Sequence, residues 1–212
     1  MIIGNNLNPP NLDTILYKKN FEIMAKINCM QIGIVQKFYP ENQTADIILV
    51  AKRKISESLN GEFIYKDYPP LLSVPCIVLR GGLGVLEMPI TAGDECLILF
   101  NDRDIDNWYL SGKVSANKTD RMHDFNDGIA LVGIGSMSKI LTDYVANAVK
   151  LKYNNTTLVI NDTGIISNKV FQSNGYKTAD GSTGITTTQT IETGGNVVKT
   201  MTIKNGLITG IS

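Results

Sequence analysis

This chain lacks any electrostatic excess: its 20 lysines and arginines meet 20 aspartates and glutamates, leaving a formal net charge of zero. Such a balance provides no overall footprint for nucleic acid or for an anionic membrane surface. It also protects only weakly against self-association, which suits a subunit that ends in an assembly. Histidine is almost missing. The single His123 cannot supply a His-x-His or His/Cys metal cluster, and no G-x-S-x-G or comparable serine context accompanies it. A hydrogen-bonded structural role is expected for it. The three cysteines, Cys29, Cys76 and Cys96, are odd in number, far apart and form no C-x-x-C pair. They read as small buried hydrophobes in a reducing compartment. No run of ~20 apolar residues occurs, and M-I-I-G-N-N offers neither a basic n-region nor an h-region, so the sequence predicts cytosolic synthesis without signal or membrane anchor.

What is present is core-forming material. The 212 residues are 43% hydrophobic, enough for one large or two small domains. Residues 1–10 read as a loose arm ending in Pro9-Pro10. From Asn11, a capping residue, Leu12, Ile15, Leu16, Ile23, Met24 and Ile27 recur at the steps of one helix face. After Asn28 the period becomes two: Met30, Ile32, Ile34 and Phe38 share one side, Gln31, Val35 and Lys37 the other. Pro40 to Gln43 make a turn, and residues 44–50 a second strand of a hairpin. Lys52, Arg53 and Lys54 are followed by acidic residues and read as a solvated loop. Residues 65–75 are proline-punctuated, a loop or edge, and residues 76–79 a short strand. Arg80-Gly81-Gly82-Leu83-Gly84 matches no phosphate-binding spacing, so a tight turn or bulge before strand 85–88 is expected.

The richest stretch is residues 89–112. Thr91-Ala92-Gly93-Asp94 has turn chemistry, with Gly93 able to take positive φ. Residues 95–100 are continuously apolar after Glu95, the pattern of a strand buried on both faces. Residues 102–108 then predict a short helical turn. Together, about five short strands between 28 and 100 predict a small closed or partly closed β-barrel of the OB kind.

Beyond Gly112 the character changes. Residues 113–128 are polar, 129–132 form a short apolar strand, and 140–149 fit strand or helix equally. Residues 151–166 read as short strands punctuated by Asn, Asp and Gly turns. From Thr178 to Thr209 ten threonines appear with many glycines and no aromatic. That composition has β propensity but too little bulk to close a core alone. It predicts strands stacked against copies of themselves, as in an intertwined β-helix or β-prism.

The candidate chemistry is thin. Asp102, Asp104 and Asp106 open like an EF-hand loop, but Asn107 and Lys113 stand where the loop needs glycine and glutamate. The aspartates instead suit helix caps and ion-pair partners for Arg103 or Arg121. Glu87 and Glu95 flanking a turn are too ordinary a pair to define an acid and base.

The run R-G-G at 80–82, P-I at 89–90, G-D-E-C-L at 93–97, F-x-D-R-D-I-D-x-W at 100–108 and R-x-H-D at 121–124 resembles the N-terminal domain of phage membrane-puncturing baseplate central spikes, over about residues 28–135. The resemblance implies an all-β chain: arm and short helix in 1–27, OB-fold domain in 28–115, connector in 116–140, and an intertwined trimeric β-helical spike in 141–212. It implies a homotrimer in the virion's tail baseplate, attached to the tail hub and driven toward the host envelope by contraction, with no enzymatic activity, cofactor, metal or nucleic acid. Family spikes often end in a His-x-His iron apex. No histidine follows His123 here, so a blunt end or a separate tip protein is expected instead. Asp102, Arg103, Asp106, Trp108, Arg121 and His123 are the expected corner where the barrel meets a neighbouring copy or the needle, a mix of charge and aromatic favoured at interfaces. The rival readings are a receptor- or glycan-binding tail protein, and a cell-wall hydrolase, which would need a convergent acid and base.

Overall fold

The computed structural model describes residues 11–57, 60–173, 176–177, 179–192, 195 and 198–212. The N-terminal arm, and Thr178 and Thr193 of the threonine-rich segment, lie outside the described residues. The chain divides into two compact units, Met1–Ile140 and Leu141–Ser212.

The first unit opens with α1 (Leu12–Met24), started where the sequence predicts: the Asn11 side chain accepts from the Thr14 amide at 2.8 Å. None of its residues is buried. Nine strands follow among the described residues: β1 (Met30–Tyr39), β2 (Thr44–Leu49), β3 (Lys52–Glu57), β4 (Phe63–Asp67), β5 (Leu71–Pro75), β6 (Leu79–Gly81), β7 (Gly84–Leu86), β8 (Glu95–Phe100) and β9 (Gly128–Val132). Five form one antiparallel sheet in the order β5-β2-β1-β8-β9, curled into a half-barrel. Its edges meet through a parallel bridge between Cys76 and Ala130, where the Ile77 amide donates to Ala130 at 2.8 Å. The curled sheet is compatible with the predicted OB-like barrel, although, among the described residues, eight strands rather than about five lie between 28 and 100 and only four of them enter the sheet. The closing strand β9 comes from within the predicted connector and pairs residue for residue with β8, Cys96 to Val132 and Phe100 to Gly128. Between β8 and β9 lies α2 (Asp106–Ser111).

Val35, Ala45, Ile47, Cys96, Ile98 and Ala130 form the fully buried centre of the core. Burying each larger aliphatic side chain there stabilises by roughly 1.5–3 kcal/mol. Which side of β1 faces inward needed the structure. The Met30, Ile32 and Ile34 side is the outer one, and Gly33 and Val35 face the core. A bulge between Val35 and Lys37 then inverts the strand, so that Phe38 packs inward. Gly33 is required by close approach: a Cβ there would lie 2.4 Å from Ile47 Cγ2 and 2.7 Å from Ile98 Cδ1. In β8 the sequence pattern predicts burial of both faces, but the chain covers one. Cys96, Ile98 and Phe100 are buried, whereas Leu99 is 37% exposed.

Other local departures have simple causes. Lys52 to Lys54 are not loop but part of β3, which pairs with β4; Lys52 lies 3.1 Å from Asp67, and the Lys54 ammonium sits 3.2 Å over the Phe63 ring. The strand predicted at 76–79 begins instead at Leu79 and forms the β6-β7 hairpin, turned by Gly82 at φ 55°. Cys29 is exposed, while burial pushes the Cys76 and Cys96 thiols up to about 11. The Gly93 turn forms as predicted, at φ 95°, with the Asp94 carboxylate accepting from the Thr91 amide at 2.7 Å.

The second unit holds two antiparallel meanders. One is β10 (Val149–Tyr153), β11 (Thr156–Asn161) and β12 (Gly164–Ser167); the other is β13 (Thr187–Glu192), β14 (Val198–Lys204) and β15 (Leu207–Ile211). Residues 140–148 form neither strand nor helix. The Asn161 side chain closes its turn by accepting from the Thr163 and Gly164 amides at 3.0 and 3.2 Å. No described residue of this unit is buried.

Candidate functional site

The predicted corner begins where β8 leaves the core. The Asn101 amide and side chain both donate to the Asp127 carbonyl, at 3.0 and 2.7 Å, tying the end of β8 to the start of β9. Phe125 packs beneath, 5.2 Å from Phe100 and 5.3 Å from Tyr68 between ring centroids. Asp104 turns inward and accepts from the Asp106 amide at 2.8 Å, satisfying an early donor of α2. Gly112, at φ 65°, ends that helix by donating to Trp108 at 2.7 Å.

The polar return segment then delivers Arg121. Its Nε and Nη2 grip both carboxylate oxygens of Asp127 at 3.0 Å. Nη2 also donates to Asp106 at 3.0 Å and lies 3.4 Å from Asp104. Thr119 donates its hydroxyl to Asp104 at 2.5 Å, and the Ile105 amide donates to Asp127 at 3.1 Å. The side chains of Asp104 and Asp127 are wholly buried. The Thr119 hydroxyl, then the Asp106 amide and Arg121, hold the Asp104 carboxyl below its usual range against the opposing effect of burial. The Asp127 hydrogen bonds lead those raising the Arg121 pKa above its already high value. A bidentate arginine with satisfied carboxylates locks a geometry.

Asp104, Asp106 and Asp127 bring ligand atoms within 4.8 Å of one another. The guanidinium already stands among them, so a divalent cation would have to displace Arg121. Asp102, the first member of the alternating series, is exposed and belongs to a different contact: His123 Nε2 lies 3.6 Å from it. His123 takes φ 49° and is tied to Asn28 in both directions, Nδ1 to the Asn28 carbonyl at 3.1 Å and Asn28 Nδ2 to the His123 carbonyl at 2.8 Å. This is the hydrogen-bonded structural role predicted for the histidine.

Of the six predicted residues, the structure therefore joins Asp106 to Arg121, and Asp102 to His123. Arg103 is exposed and makes no ion pair among the described residues. Trp108 lies half-exposed on α2, lining a shallow hollow with Ile105, Val114 and Asn117. Asp127 and Thr119 went unseen in the sequence. An aspartate before a strand and a threonine in a polar connector carry no local signal of a partner far along the chain.

Fold and corner together define a small domain built on a curled half-barrel sheet and braced by a buried ionic cluster. Residues 32–133, just under half of the chain, match the family model described as Phage protein Gp138 N-terminal domain. The match starts within β1 and ends just past β9, so it takes in the corner and nearly all of the five-stranded sheet. This stretch is similar to a domain of a phage protein. No curated protein matches the chain. Among the described residues no helix is long and apolar enough to cross a membrane.

Proposed function

We propose that this chain is a structural subunit of a contractile phage tail baseplate, the central spike. In this reading it has an OB-fold barrel at its N-terminal side and acts as a homotrimer. It caps the tail hub and helps breach the host envelope mechanically, without catalysis. The likeness of residues 32–133 to a phage protein domain supports the phage structural setting.

The observation that carries the reading is the missing core of the second unit. Its strands pair in antiparallel ladders with one irregularity, between Thr202 and Ile203, yet Leu151, Tyr153, Ile165, Ile166, Ile208 and Ile211 all lie exposed, and no described residue there is buried. Meanders of three strands need an apolar face packed on something to be stable. Further copies of the chain would supply that face and cover the sheet edges, giving the intertwined β-helix or β-prism. A stiff rod of this kind transmits force and needs no reactive group. Mass measurement of the full chain in solution tests it. Three times the 23.2 kDa chain mass is expected, and a stable monomer with ordered meanders would sink the proposal.

A further inference from the structure

The chain that joins the two units is gripped by a carboxylate at each end. It leaves β9 at Gly133, whose amide donates to the Glu95 carbonyl at 3.2 Å. It then folds back tightly: a Cβ at Gly135 would lie 3.2 Å from the Lys139 carbonyl oxygen, and Met137–Lys139 make one 3-10 turn. Glu95, at the start of β8, holds that fold at two points. One carboxylate oxygen accepts from the Ser136 amide at 2.5 Å, the other from the Ser136 hydroxyl at 2.8 Å. With its proton so placed, the Ser136 hydroxyl oxygen accepts from Ser138 at 2.9 Å. Lys139 brings its charge 3.8 Å from the same carboxylate, and its ammonium donates to the Gly93 carbonyl.

The start of the second unit carries a matching grip. Lys150 and Lys152 stand two apart on one side of β10. Both donate to one oxygen of the Asp143 carboxylate, at 3.0 and 2.7 Å, and Lys150 donates to the Asp143 carbonyl as well. Each carboxylate therefore meets more than one donor, which sets these grips apart from a single exposed ion pair. The Ser136 bonds lead in holding the Glu95 carboxyl below its usual range, and the Lys152 and Lys150 bonds draw that of Asp143 down to about 2. Both groups are charged at neutral pH.

We propose that residues 133–148 form a strap clasped at both ends, by Glu95 on Ser136 and Lys139 and by Lys150 and Lys152 on Asp143, which sets the length of the joint between the units. With both clasps shut, Ile140, Leu141 and Thr142 lie between them, three residues that span at most about 11 Å. The division between the units falls within this short run, after Ile140. Opening the Glu95 clasp would add residues 133–139 to the free run, and opening the Asp143 clasp residues 143–148. Both clasps lie within one chain, so the strap does not depend on the number of copies.

Ile140, Leu141 and Val145 are exposed and are sites for thermolysin, which cuts before apolar residues. A protease must draw an extended stretch of chain into its cleft, so it cuts the strap once a clasp has opened, at a rate that follows the open fraction. The full chain is digested at neutral pH as wild type, Glu95→Gln and Asp143→Asn, with Glu87→Gln, an exposed carboxylate off the strap, as control, and the fragments are weighed by mass spectrometry. Cleavage within 140–145 should quicken at least about threefold in each clasp variant and stay unchanged in the control. Amide exchange across β8 and β9 should keep its wild-type rate. Strap cleavage at the wild-type rate in both clasp variants would overturn the inference. Quickening in one of them alone would overturn it too, leaving a single tie in place of a strap, as would faster exchange across β8 and β9 in Glu95→Gln, which would make Glu95 a brace of the sheet.

Discussion

Replacing Arg121 with glutamine removes the cation that reaches Asp104, Asp106 and Asp127 together, two of them wholly buried, and leaves Lys118 near Asp106 alone, at 3.8 Å. Breaking a buried pair by deleting one partner costs about 3–5 kcal/mol, because the remaining charge is left uncompensated. Here the Thr119 hydroxyl and the Ile105 and Asp106 amides still bond to Asp104 and Asp127, so the lower end, about 3 kcal/mol, is expected. With a urea slope of ~1–3 kcal/mol per molar, the unfolding midpoint should fall by about 1–3 M. Emission from Trp108, the sole tryptophan, reports on this corner, with variants compared at one chain concentration because unfolding of an assembly is concentration-dependent. Arg121→Lys keeps the charge but loses the two-point grip on Asp127, and should cost less. The pH dependence has a definite sign. In the wild type the Asp104 carboxyl is held low, so its contribution is present above the unfolded value of ~3.9 and is lost as pH falls through the folded value. In Arg121→Gln the Asp104 carboxyl has lost the attraction of Arg121 and so has less of this contribution to lose. The two stability curves should therefore converge as the solution is acidified below about pH 5. An unchanged midpoint at pH 7, or a loss independent of pH, would refute the view that the cluster braces this corner.

Two glycines give further tests. Gly33→Ala puts a Cβ 2.4 Å from Ile47 and 2.7 Å from Ile98, and should destabilise the barrel by about 1–3 kcal/mol in urea unfolding; an unaltered midpoint would mean the core has slack there. Gly184→Ala places a Cβ 2.7 Å from the Asn205 carbonyl oxygen and 2.8 Å from the Gly206 Cα. Backbone cannot swing aside as a side-chain end can, so the hydrogen bond from Gly206 to Ile185 should open and amide exchange across 185–206 should quicken. Exchange at the wild-type rate would count against that close approach.

Local chemistry was readable in the sequence because it depends on neighbours a few residues away. The Asn11 cap, the Gly93 turn, the strands 95–100 and 129–132 and the Asn and Gly turns of 151–166 all fall in this class, as does the bare threonine-rich segment that cannot close a core. With one histidine, the sequence by itself also excludes a histidine cluster within the chain, whereas only the fold brings Cys76 and Cys96 into one core. Tertiary structure decided the rest. Period two defines two faces of β1, and the more apolar one, Met30, Ile32 and Ile34, is the outer one; that depended on the space Gly33 leaves for Ile47 and Ile98, and on a bulge. The Lys52 to Lys54 run became a strand because β4 lies opposite it. Arg121 grips Asp127 rather than the equally charged Asp102 because closing β9 onto β8 buries the Asp127 carboxylate beside it, and a buried charge must find its partner where the fold has placed one.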